Sequence, residues 1–172
     1  MSVISIVNAD ITRVDADAIV NAANEGLQAG GGVCGAIFAA AGRCALQAAC
    51  DEIGHCDTGS TVITEGFGCK ARYIIHAVGP RWHGGGSGEA EQLAGCYQRA
   101  LELAVDHGCA SIAFPLISSG IYGYPKEEAW RVALGACLAK LAALGDCAPE
   151  VMFCVLSDSS RELGERILSE VA

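Results

Sequence analysis

Hydrophobic and polar positions along the chain switch between a period of two and a period of three to four residues, the pattern of a sheet covered on both faces by helices. Val3 to Val7 reads as a first strand and Ala18 to Asn21 as a second, short and buried. Small and apolar residues at helical spacing run from Gly35 to Ile53 with an interruption at Gly42, which predicts a helix kinked or broken there. Thr61 to Glu65 and Arg72 to Val78 are rich in β-branched residues and read as strands, the second stopping at Gly79-Pro80. Leu93, Tyr97, Leu101 and Leu103 place a helix over Ala90 to His107, and Ser111 to Leu116 is another buried strand. Lys126 to Leu144 is a helix with both ends signalled: Pro125 suits its first turn, Glu127 and Glu128 favour its positive end, and Gly145 follows its last residue. Val151 to Leu156 is the last strand, and Ser159 to Val171 a closing amphipathic helix.

Two glycine-bearing loops stand out in this alternation. The stretch Asp17 to Gly35, DAIVNAANEGLQAGGGVCG, runs from a buried strand through Gly30, Gly31 and Gly32 into a helix opened by Val33 to Gly35. Glycines let backbone approach a ligand closely, and the unpaired N–H groups of a helix start attract anions. Asn24, just upstream, is a strongly hydrogen-bonding neutral side chain. Ser118 to Pro125, SSGIYGYP, repeats the design between the strand FPLI and the Lys126 helix. Gly120 and Gly123 permit close approach there, Ser118 and Ser119 offer hydroxyls, and Tyr122 offers a ring to cover a sugar. Two such loops facing one another at the carboxyl edge of a sheet, with Asn24 between them, imply a bridging diphosphate. A third glycine run, Gly84 to Gly88, has no P-loop lysine after it and reads as a flexible surface connector.

Composition narrows the setting. The 172 residues make one domain, 1–172, with neither repeat nor linker, able to bury about 70% of the unfolded surface. No apolar run approaches the ~20 residues of a bilayer span, and MSVISIVNAD lacks the build of a secretory signal, so a cytoplasmic location is expected. A net charge of −9 repels a nucleic-acid backbone and argues against that partner. The ten cysteines include no CxxC pair, so they read as reduced, structural thiols and no metal is expected, with Cys34 weighed separately. His76, inside YIIHAV, reads as a packed and hydrogen-bonded core histidine.

Asn8-Ala9-Asp10-Ile11-Thr12, DAIVNAAN at Asp17 to Asn24, GGGV at Gly30 to Val33, HAVGP at His76 to Pro80, and SSGIYGYP together closely resemble a macrodomain, the ADP-ribose-binding fold. The resemblance runs from about Val3 to the final helix. It implies a three-layer α/β/α sandwich around a mixed sheet of about six strands, with ADP-ribose in a cleft at the strand ends. It gives Asp10 the adenine amino group, with the Ile11 backbone alongside; Asp10 as a mere turn or cap before Thr12 is the competing reading. Ser118, Ser119, Gly120, Ile121 and Tyr122 would wrap the diphosphate through backbone N–H groups. Gly31, Gly32, Val33 and Cys34 would close on its other side and on the ribose that carries the reactive carbon. Asn24 would orient that ribose.

Two departures bear on activity. Hydrolases of the bacterial and human macroD type usually carry an aspartate after GGV, thought to position or activate water, and here the residue is Cys34. Alphavirus macrodomains also read GVC at this point and are associated with removing ADP-ribose from proteins. Relatives often stack an aromatic ring on adenine after the last strand, where this chain has Leu156, so the stacking contribution of about 0.5–1.5 kcal/mol is missing. The resemblance therefore implies an ADP-ribosyl hydrolase acting on ADP-ribosylated proteins or on O-acetyl-ADP-ribose. Asn24, Gly32 and Cys34 stand as the catalytic candidates, and the substrate's phosphate serves as the base without cofactor or metal. A non-catalytic ADP-ribose reader is the alternative, and a nuclease-regulating or RNA-binding interaction protein a more distant one.

Overall fold

Asn8 at the end of one edge strand hydrogen-bonds through its Nδ2 to Asp158 Oδ1 at the start of the last helix, 3.0 Å away, so the first and last elements meet at one end of the molecule. The computed structural model describes residues 4–172; Val3, which the pattern assigns to the first strand, lies outside them. The strands are β1 (Ile4–Asn8), β2 (Ala18–Ala22), β3 (Thr61–Glu65), β4 (Tyr73–Ala77), β5 (Ser111–Phe114) and β6 (Glu150–Val155). The helices are α1 (Gly32–Ala41), α2 (Arg43–Ile53), α3 (Glu89–Asp106), α4 (Lys126–Leu144) and α5 (Asp158–Val171), with a 3₁₀ turn at Gly145–Cys147.

The sheet order is β1-β6-β5-β2-β4-β3. All neighbours are parallel except β3, which runs antiparallel to β4, so the sheet is mixed as the resemblance implies. Because side chains alternate faces along a strand, Val20 and Ile75 pack with Phe114, Phe153 and Trp130 under α3, α4 and α5. Ile19 and Ile74 point the other way and pack with Ile37, Phe38 and Leu46 of α1 and α2. Each such buried side chain contributes about 1.5–3 kcal/mol, and the two cores make the three layers.

The helix expected from Gly35 to Ile53 is two helices. Gly42 adopts φ +102° and ψ +108°, a conformation that suits glycine, and the two axes meet at 109° across it. The first of them begins at Gly32, earlier than apolar periodicity indicates, because periodicity is blind to the glycines of its first turn. Among the described residues no single helix is long and apolar enough to cross a bilayer.

Candidate functional site

Since β1, β6, β5, β2 and β4 are parallel, the segments leaving them all emerge on one edge, where open α/β sheets bind ligands. The loop after β2 is fixed from several sides. Ala23 N–H donates to Ala77 O at 2.9 Å, and Leu27, with φ +55°, buries its side chain in the α1–α2 core. Gln47 of α2 brackets the loop, donating to Leu27 O and accepting from Ala29 N–H, both at 3.0 Å. Within it Asn24 is tied to the Gln28 backbone twice: Nδ2 donates to Gln28 O and Oδ1 accepts from Gln28 N–H, each at 2.9 Å. One Nδ2 hydrogen and part of Oδ1 remain for a ligand.

Gly30 sits where Asn24 and Cys34 converge. A Cβ on it would lie 3.8 Å from Cys34 Sγ and 4.0 Å from Asn24 Nδ2. Its carbonyl would lie 2.5 Å from a Cβ on Gly35, so that position is confined to glycine. Beyond it, Gly31 caps α1 with no side-chain bond, and Gly32 takes φ +58°. The N–H groups of Gly32, Val33 and Cys34 find no acceptor among the described residues, and no acid occupies this first turn. The result is an open anion-binding helix start.

Cys34 is packed beneath this loop, 6% exposed, with its thiol aimed at Gln28 O at 3.8 Å. Burial pushes the thiol up, outweighing the Gly30 backbone and the Asn21 side chain that draw it down, so Cys34 is a neutral thiol and not a thiolate base. Behind it the Asn21 Nδ2 lies 3.1 Å from His76 Nδ1, whose Nε2 in turn meets Thr64 Oγ1 at 3.0 Å. Burial brings His76 down to about 4, and it is the core histidine its strand context indicates.

The second loop follows β5. Tyr97, fully buried on α3, fixes its approach: its hydroxyl accepts the Ile117 N–H at 2.9 Å and lies 3.4 Å from Pro115 O. Ser118 then takes φ +68°, rare for a side-chain-bearing residue. Its Oγ is buried without a partner, and Ser119 Oγ donates to Leu116 O at 2.8 Å. These hydroxyls therefore face inward, correcting the reading that offers them to a ligand; it is the backbone that is presented. The N–H groups of Ser118, Gly120, Ile121 and Tyr122 find no acceptor among the described residues, while Gly123 and Tyr124 close the turn onto Gly120 O and Ser118 O, both at 3.0 Å.

Gly79, after β4, supports this turn from below: a Cβ there would overlap Ser118 Oγ and Ile117 Cγ2. Trp82 N–H donates to Tyr122 O at 2.9 Å, and the Arg81 guanidinium lies over the Tyr122 ring, 4.9 Å from its centroid. The glycine run after it is more organised than a free connector. Glu89, 1% exposed, accepts from the N–H groups of His83, Gly85 and Ser87 at 2.8, 3.0 and 2.6 Å. Burial alone would raise its carboxyl, but these backbone donors prevail and hold it at about 2.

At the other end of the edge, Asp10 Oδ1 accepts from Thr12 N–H and Thr12 Oγ1 at 2.9 and 2.7 Å, which holds its carboxyl below the usual range. This turn role leaves Oδ2 accessible, because among the described residues it meets only Arg13, at 3.8 Å. The Ile11 side chain is buried beneath, and Leu156 is 75% exposed beside the exit of β6. The site residues read from the sequence thus line one sheet edge. Gln28, Gln47, Gly79, Arg81 and Glu89 escaped that reading: Gln47, Gly79 and Arg81 act through contacts remote in sequence, and Gln28 and Glu89 through local main-chain bonds that no residue pattern signals. As for metals, Glu25, His55 and Asp57 bring ligand atoms within 4.8 Å of one another, but all are exposed and already bonded to protein groups.

A family model described as Macro domain matches residues 20–133. The chain is 49% identical over 166 residues to a macro domain-containing protein of Chlorobaculum tepidum, covering 96% of this chain and 95% of that one. It is 43% identical over 169 residues to the mouse ADP-ribose glycohydrolase MACROD2, covering 97% of this chain but only 35% of that longer protein. Among solved structures it is similar to the Oceanobacillus iheyensis macrodomain with ADP, at a TM-score of 0.89 and 40% identity, covering 96% of this chain and 89% of the other.

Proposed function

The chain belongs to the macro domain family, and on that premise we propose that it binds ADP-ribose and hydrolyses mono-ADP-ribosyl esters on protein carboxylates, O-acetyl-ADP-ribose, or both. The observation that carries this reading is the pair of turns at one sheet edge, Gly32 to Cys34 and Ser118 to Tyr122, whose N–H groups, Ser119 apart, find no acceptor among the described residues. Oriented amides attract a pyrophosphate without basic side chains, which suits a protein of net charge −9. The ADP-bound relative and the glycohydrolase relative support the same ligand class.

With the pyrophosphate between these turns and adenine toward Asp10 and Leu156, the reacting ribose falls against Asn24. Water held between the substrate's phosphate and the α1 start attacks the anomeric carbon or the ester's acyl carbon. The phosphate takes the water's proton. Attack at the anomeric carbon expels the acceptor as its carboxylate, whereas attack at the acyl carbon expels the ribose oxygen, which takes that proton back from the phosphate as a hydroxyl while the acyl group departs as a carboxylate. Cys34, neutral and buried, has no part in the proton transfer. Catalysis then consists of positioning and electrostatic stabilisation, whose effective-molarity gains are large. A cytoplasmic setting is part of the proposal, supported by ten cysteines that are all free.

A non-catalytic reader is the second reading, favoured by a neutral thiol where macroD-type hydrolases carry an aspartate. The test is to incubate the protein with a glutamate-ADP-ribosylated acceptor and with O-acetyl-ADP-ribose. Release of ADP-ribose that Asn24→Ala slows by about 10²-fold is the expected result. Tight ADP-ribose binding with no turnover of either substrate would leave the reader.

A further inference from the structure

Beyond Asn24 and Tyr122 a cavity of about 500 Å³ opens between the segment after β4 and the first turns of α3. Its volume lies within the ~300–1,000 Å³ of ligand pockets. Of the residues assigned to ADP-ribose only those two line it, so the cavity leads away from the adenine end, starting where the reacting ribose stops. With the ribose against Asn24 as proposed above, the group bonded to its anomeric carbon would extend into it.

The walls are built rather than incidental. Glu89 gathers three loop amides and so fixes the segment after β4. Glu25 Oε2 accepts from both the N–H and the hydroxyl of Thr58, at 3.2 and 2.9 Å. Both lining carboxylates are thereby engaged by protein donors, Glu25 through Oε2 alone. Arg81 is not: its guanidinium forms no ion pair among the described residues, lines the cavity and rests on the face of Tyr122. An acidic protein thus presents an unpaired cation at the far side of its candidate reaction centre.

Resting on the hydrolase or reader assignment above, we propose that this cavity is the acceptor subsite: it takes the ADP-ribosylated residue with its flanking peptide, and Arg81 selects an anionic side chain next to that residue. The preferred substrate class is a mono-ADP-ribosylated acidic segment. The small acyl group of O-acetyl-ADP-ribose leaves the cavity unfilled.

The test uses peptides carrying ADP-ribose on a glutamine side chain through an N-glycosidic amide, flanked by glutamates or by glutamines, titrated calorimetrically beside free ADP-ribose. The parent binds the glutamate-flanked peptide about three- to fivefold tighter than the neutral one, as one rim charge pair allows. Roughly 0.5 M salt erases the difference. Arg81→Gln removes the preference and Arg81→Glu reverses it. Equal binding of both peptides by the parent, or an undiminished preference in Arg81→Glu, overturns the subsite while free ADP-ribose still binds. Failure of free ADP-ribose itself to bind overturns the underlying assignment instead. Arg81-dependent capture of an ADP-ribose dimer, with neither peptide gaining over free ADP-ribose, would assign the cavity to a second nucleotide and refute the peptide.

Discussion

Asn24 and Gln28 are joined twice, side-chain amide to main-chain amide, at 2.9 Å in each direction. The pair closes a ring that leaves the asparagine no rotational freedom, so the group expected to touch the reacting ribose is set before any ligand arrives. Asn24→Ala removes both the ligand contact and this ring. Turnover of a mono-ADP-ribosylated acceptor should fall by about 10²-fold, the scale of losing one oriented donor. Single-turnover release of ADP-ribose checks it, and activity within a few-fold of the parent would remove Asn24 from the site.

Cys34 offers the opposite expectation. Its thiol is buried and raised, so Cys34→Ala should keep turnover within a few-fold. The rate profile of the parent between pH 7 and 9 should show no rising limb belonging to a thiolate. A limb that appears in the parent and vanishes in Cys34→Ala would reinstate the thiol as a base.

Gly79→Ala probes how the second turn is supported. The new methyl overlaps Ser118 Oγ and Ile117 Cγ2, and overpacking of this kind costs about 1–3 kcal/mol. Thermal unfolding should drop by several degrees and ADP-ribose affinity by about tenfold or more, because the displaced residue carries the amides. Unchanged affinity would show that the turn is held elsewhere.

The buried histidine sets an acid limit on stability. His76 lies at about 4 in the folded protein against an ordinary 6.5, so between these values the unfolded chain binds the extra proton. Its contribution is intact above pH 6.5 and is lost as pH falls toward 4, about 3 kcal/mol in all. Urea midpoints measured from pH 7 to 4.5 should decline, and more steeply than in His76→Gln. Equal slopes in the two proteins would assign the decline to other groups.

What could be read from the chain alone followed from local causes. Gly42 announced the break between α1 and α2 because a helix residue at φ +102° must be a glycine. Gly32, at φ +58°, and Gly123, at φ +74°, announced tight turns for the same reason. The reading failed where the direction of a side chain depends on one dihedral: Ser118 and Ser119 look like ligand donors in sequence, yet the positive φ of Ser118 turns its hydroxyl inward and Ser119 spends its own on Leu116. The acceptor-side wall was hidden for another reason. Glu25 meets Arg81 and Glu89 only because β2 and β4 lie side by side in the sheet, and no spacing along the chain encodes that meeting. The resemblance to a known family supplied the layer count and strand number, which periodicity by itself leaves open.

The reliance on main-chain amides has an evolutionary consequence. A grip encoded in the path of the backbone cannot be abolished by exchanging one charged side chain, and it leaves exposed tips such as Ile121 and Arg81 open to drift. Mutational robustness of the nucleotide end and plasticity of the opposite end therefore lie side by side at one sheet edge. Libraries randomised at the rim should yield altered selectivity far more often than dead protein, whereas libraries at Gly35 or Gly79 should yield the reverse.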